Sequence, residues 1–138
     1  MSVTALLRVT AVFEVATAAA LLILPALTLA LLFGPGPDTA TSLMLARLFG
    51  APLLSLGVMC WTASSGPGGQ AARSQVAAML IYNVIVAALL IYSATVVGLA
   101  GLALWPAVIA HGLLAGWCLA ELRQWGRRAA EIRAAPDR

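Results

Sequence analysis

The sequence predicts an all-α membrane protein: a four-transmembrane-helix bundle with a short cytoplasmic amphipathic C-terminal helix. Three observations predict it. The chain is 62% hydrophobic and 9% charged, whereas soluble domains are about 45–50% apolar and about 25% charged. Four apolar stretches are each long enough to cross about 30 Å of hydrocarbon. The breaks between them fall on glycine and proline clusters, the strongest local punctuation a sequence carries.

The first span is expected from about Val3 to Leu24. It resembles a signal peptide in apolarity, but no early charge precedes it and Glu14 interrupts the apolar run, so it reads as a retained helix. Pro25 limits it, because proline removes an interior hydrogen bond. The LTLALLF that follows is short, and either lies at the interface or continues the helix past a kink. Gly34-Pro35-Gly36-Pro37-Asp38 is a loop, and Asp38, Thr39 and Thr41 offer N-caps for the second span.

That second span, about Leu43 to Ala63, extends about 31 Å at the helical rise and contains Pro52, where a kink is expected. SSGPGG at residues 64–69 forms the next loop. The third span runs from about Gln75 to Val97, and Gly98–Gly101 makes a tight connection. The fourth begins near Trp105-Pro106, with proline in a first turn, and ends near Leu122. The chain divides accordingly into residues 1–122, the transmembrane domain, and residues 123–138, a basic tail.

All eight basic residues are arginines. Five of them, Arg123, Arg127, Arg128, Arg133 and Arg138, lie in the tail, and the first and third connections carry none. The positive-inside rule then places a multi-pass protein in the cell inner (plasma) membrane with both termini cytoplasmic. Trp61, Trp105 and Trp125 fall at the expected membrane edges. In the tail, Leu122, Trp125, Ala129 and Ile132 form a helical stripe with the arginines largely off it. This reads either as a helix lying on anionic headgroups or as a frayed, solvated basic tail. A basic tail at a membrane surface, with no basic patch interleaved with aromatic residues, points to lipid and away from nucleic acid as a partner.

The spans also carry polar residues, and these are the candidate site. Charge inside a bilayer is costly and faces the bundle interior or a partner. Glu14 falls near the midplane, Tyr82 and Asn83 near the middle of the third span, and Arg47 and His111 in the outer part of theirs. The expectation is one buried polar cluster, Glu14, Arg47, Tyr82, Asn83 and His111, in which Arg47 meets Glu14. Arg47, Gly50, Ala51 and Leu54 share a helical face, and small residues there permit close approach. Gly112-x-x-x-Gly116, beside His111, serves either bundle packing or dimerisation.

Glu14 with His111 is a candidate acid–base pair, and its alternative is a structural set of contacts that fixes helix packing. Arg8 and Glu121 lie at one membrane edge and are expected to pair weakly. Cys60 and Cys118 form no CxxC and no metal-ligand spacing, so they read as small apolar fillers. No metal site and no cofactor motif is present.

The order of these features, Glu14, then Pro25 and LLFG, then ARLFGAPLLSLGVMCW, then Tyr82-Asn83, then WPAVIAH ending at His111, resembles a family of small uncharacterised four-helix bacterial integral membrane proteins, loosely DoxX-like in arrangement. The resemblance covers roughly residues 5 to 122. It implies a four-helix bundle and carries no established activity. AVFEVAT at residues 11–17 is also similar to the first helix of small multidrug resistance transporters, in which a membrane-embedded glutamate is essential; Glu14 takes that position. The chain departs from those transporters in lacking their aromatic, glycine-rich later helices and in adding Arg47.

Three functions remain open at this point: a structural or accessory membrane protein, an intramembrane enzyme or binder for a lipophilic molecule such as a quinone, lipid or isoprenoid, and a small proton-coupled transporter. Self-association is a further open partner reading.

Overall fold

The computed structural model describes residues 2–36, 39–66 and 69–134, the Ile132 side chain excepted. Every regular element among them is helical. The order is α1 (Val3–Ile23), α2 (Pro25–Phe33), α3 (Ala40–Ser65), α4 (Gln70–Tyr92), a π-helical turn (Ser93–Val97) and α5 (Leu104–Ala134). Four of these elements are long and apolar enough to cross a membrane: α1, α3, α4 with its π turn, and α5.

The elements stop where local chemistry stops them. Leu24 leaves the helical region (φ −124°, ψ 53°) and Pro25 opens α2 at its first position, where a missing N–H costs nothing. The LTLALLF stretch is therefore a separate short helix behind a break. Thr39 caps α3: its Oγ1 accepts from the Ser42 N–H at 3.1 Å, and Ser42 Oγ donates to the Thr39 carbonyl at 2.9 Å. Of the other two caps expected there, Thr41 lies inside α3 and Asp38 lies outside the described residues. The α3 helix continues through Pro52. After the π turn the chain is ended by Gly98 in the left-handed region (φ 77°), which glycine occupies without steric penalty.

The helices pack as two tight pairs, α1 with α3 and α4 with α5. The first pair is antiparallel and very close. A methyl group at Gly57 would lie 2.7 Å from Val15 Cγ2 and 3.1 Å from the Ala11 carbonyl oxygen; one at Gly50 would lie 3.1 Å from the Ala18 carbonyl oxygen. The α1 backbone occupies the space a side chain would need, which is how membrane helices gain packing without a hydrophobic driving force.

The α2 end of the bundle is closed by hydrogen bonds. The Gly101 N–H donates to the Leu32 carbonyl at 2.9 Å and the Ala103 N–H to the Leu31 carbonyl at 2.8 Å. These satisfy carbonyls that a helix C-terminus leaves without partners. Gly101 is required there because an added Cβ would run into the Leu31 backbone.

At the opposite end, an apolar core joins both pairs through Leu6, Leu7, Cys60, Val76, Met79 and Cys118. The outer surface is apolar as well. Leu113 is 70% exposed, Phe49 65% and Leu102 87%, an arrangement a bilayer accepts and water does not.

Two sequence expectations change. The fourth span does not end near Leu122 with a separate tail helix. Through Ala134, α5 is one helix of 31 residues, about 46 Å long at the helical rise. Residues 122–134 contain no proline to stop it, and Leu122 and Trp125 pack on the apolar core rather than turning aside. Arg8 and Glu121 also do not pair. Arg8 is exposed, whereas Glu121 is buried and accepts from the Trp117 indole N–H at 3.3 Å. The i,i+4 spacing of Trp117 and Glu121 supplies a nearer partner than another helix does.

Candidate functional site: a closed polar cluster

Between the apolar core and the α2 end, side chains from α1, α4 and α5 meet. Glu14 is fully buried. It lies on the α1 stripe of Leu7, Thr10, Ala11, Glu14, Ala18 and Leu21, the 3–4 spacing that puts residues on one helical face. Tyr82 on α4 donates its hydroxyl to Glu14 Oε2 at 3.0 Å. This bond joins one helix pair to the other.

Asn83, next on α4, is also fully buried. Its Nδ2 donates to the Met79 carbonyl one turn back, at 2.7 Å. Its Oδ1 therefore faces α5, 2.8 Å from His111 Nδ1. An amide oxygen only accepts, so Nδ1 carries the ring proton and donates. His111 is held between two aromatic edges: Phe13 at 5.3 Å between ring centres with planes at 82°, and Tyr82 at 5.7 Å with planes at 75°. The T-shaped arrangement is the favoured one for such rings. Consecutive residues of α4 thus reach in two directions, Tyr82 towards α1 and Asn83 towards α5.

Four of the five candidate residues come together. Arg47 does not, which corrects the expected Glu14–Arg47 contact. The buried stripe of α3 is Ala46, Gly50, Gly57, Cys60 and Ser64. At about 100° per residue, Arg47 sits roughly a quarter-turn off the centre of that stripe, on the exposed surface. Among the described residues neither Arg47 nor Glu14 forms an ion pair. The small residues beside Arg47 seat α1 directly and leave no room for a long side chain between the helices.

Among the described residues two buried oxygens remain without a hydrogen-bond partner, Glu14 Oε1 and Thr10 Oγ1. They lie one turn apart on α1. Thr17, by contrast, donates to the Phe13 carbonyl at 2.9 Å, the ordinary helical solution for a threonine. The position of Phe13 against His111 and the Gln75 Nε2 donation to Cys60 Sγ at 3.3 Å were not read from the sequence. The signal for Phe13 was its place beside Glu14; the Gln75 contact has no local signal, because the two residues meet only when α3 and α4 fold together.

The chemistry available is limited by access. Glu14, Asn83 and His111 are buried and Tyr82 is half-buried, and a surface groove between α1 and α3 and another between α3 and α4 are lined by other residues. Among the described residues no group of three or more His, Cys, Asp or Glu side chains is placed to hold a metal ion. The arrangement can specify helix rotation and hold a proton at Glu14 or His111. Comparison with protein-family models, with curated proteins and with solved structures gave no match.

Proposed function

We propose that the protein is a structural or accessory component of the inner membrane, in which the polar cluster fixes how the two helix pairs meet. The observation that carries this reading is a pair of bonds from consecutive residues of α4, Tyr82 to Glu14 on α1 and Asn83 to His111 on α5. In lipid there is no hydrophobic driving force between helices, since tails are as apolar as leucine, so close small-residue packing and buried polar contacts set helix rotation. The four spanning helices support membership of the small DoxX-like group that the motif order resembles.

A thermal-stability cycle in detergent on Glu14→Gln, Tyr82→Phe and the double variant tests the structural role. The expected result is coupling, with the double variant losing less than the sum of the singles. Additive losses would remove the cross-pair contact from the argument.

The unpartnered Glu14 Oε1 favours one second reading, a small proton-coupled transporter in which this carboxyl exchanges a proton with its cargo. Purified protein in liposomes loaded with a pH dye discriminates. Under the structural reading the proton leak of wild type and Glu14→Gln is the same. A leak that depends on Glu14 makes the transporter reading the better one.

The orientation belongs to the same proposal. The arginine asymmetry supports cytoplasmic termini. Cysteine labelling in intact cells should find Asp38→Cys, at a position outside the described residues, reactive from outside and Ala130→Cys protected. The reverse pattern inverts the topology.

A further inference from the structure

The outer face of the α1–α3 pair carries a groove of about 440 Å³. Its walls are Val12, Val15, Ala16 and Ala19 of α1 with Val58 and Trp61 of α3. The α1 part extends about two turns. Arg8 continues the same face towards the helix start, since residues 8, 12, 15 and 19 follow the 3–4 spacing of one helical surface. Side chains on a helix lean towards its N-terminus, so Arg8 extends from the groove towards the membrane surface, as long cationic chains do.

Trp61 stands at the same level. Gly57 packs against Ala11 and Val15, and in an antiparallel pair the residue one turn after Gly57 lies beside the residue one turn before Ala11. Trp61 is 53% exposed, and among the described residues its indole N–H has no protein acceptor. The groove itself is lined by apolar atoms; Arg8, outside that lining but next along the same α1 face, and the Trp61 indole have no protein partner among the described residues.

Among the described residues no free carboxylate stands at that end of the groove. Of the described carboxylates, Glu14 and Glu121 are buried and hydrogen-bonded, and Glu131 lies ten residues beyond Glu121 on the far extension of α5. The described residues of a second copy would bring a second arginine and no exposed acid at this depth. A membrane phosphate has the required charge and depth, and its acyl chain has the required shape.

We infer that the α1–α3 groove binds one anionic phospholipid, an acyl chain lying along Val12, Val15 and Ala16 and the phosphate held by Arg8 and the Trp61 indole. Native mass spectrometry of the full chain, titrated with phosphatidylglycerol or phosphatidylcholine of identical tails, tests it. Wild type should retain one phosphatidylglycerol about fivefold better than phosphatidylcholine, the preference that one arginine near a surface provides. Arg8→Gln should bring phosphatidylglycerol down to the phosphatidylcholine level, and Arg8→Lys should keep most of the preference. Ala16→Trp, at an exposed position inside the groove, should lower retention of both lipids. Equal retention of the two lipids by wild type, an undiminished preference in Arg8→Gln, or unchanged binding by Ala16→Trp each overturns the site. A lipid-free dimer that Ala16→Trp dissociates assigns the groove to a second copy instead.

Discussion

Gly57 and Gly116 sit within spanning helices and do opposite things. Gly57 is filled: the α1 backbone lies where its side chain would be. Gly116, like Gly112, has nothing within 4 Å of an added Cβ and faces outward from α5. The charged residues divide the same way. Glu14 points into the bundle and finds Tyr82, whereas Arg47 points away from it. A glycine or a charge inside a span is thus not a message by itself. Its meaning is set by rotation about the helix axis, and a residue on the inner face is committed to a neighbour that an outward residue lacks.

The sharpest way to break this contrast is Gly57→Leu. The neighbouring backbone cannot yield as a flexible side chain would, so the cost should be about 3 kcal/mol, read as a lower melting temperature in detergent. A tolerated leucine would mean that α1 is not seated on Gly57. His111→Ala comes next. It empties the space between Phe13 and Tyr82 and leaves Asn83 Oδ1 buried without a donor, a loss of about 2–3 kcal/mol. Asn83→Ala in the same background should then add little, because the two positions share one bond.

Glu14→Gln keeps an acceptor for Tyr82 but introduces an amide without a partner, and should cost about 1 kcal/mol. Arg47→Met should not destabilise, since Arg47 is exposed on a spanning helix, has no ion-pair partner among the described residues, and carries a charge that is costly there. The pair should be additive; coupling between them would bring Arg47 back into the cluster. Gly116→Leu is the mildest. It should leave the melting temperature of the monomer nearly unchanged, since the better helix former offsets any local crowding. If self-association uses this face, the same variant should shift the protein towards monomer in light scattering. An unchanged oligomeric state would remove Gly116 from any such contact.

The number and order of the spans were legible because hydropathy and proline–glycine punctuation are local properties. So were four members of the cluster, since a bilayer leaves few places for Glu14, Tyr82, Asn83 and His111. The rotation of α3 was not legible. Arg47 shares a helical side with Gly50, and the sequence alone does not show that α1 approaches centred on Ala46, Gly50 and Gly57, leaving Arg47 off its edge. The length of α5 was misjudged for a related reason. A drop in hydropathy near Leu122 does not stop a helix, and without a breaking residue α5 continues past it to Ala134. The Arg8–Glu121 pairing was drawn from depth alone, whereas depth does not decide between a partner on another helix and Trp117 four residues away.

The two amides that close α2 also impose an order of assembly. The carbonyls of Leu31 and Leu32 are synthesised early, yet their donors are Gly101 and Ala103, some seventy residues later in the chain. Until the last connection emerges, the end of α2 must take its hydrogen bonds from water or headgroups. It can settle into its final seat only when α5 is ready to enter the membrane. The end of α2 is thereby left unfinished until α5 arrives, and a chain truncated before Gly101 lacks the donors that the Leu31 and Leu32 carbonyls use.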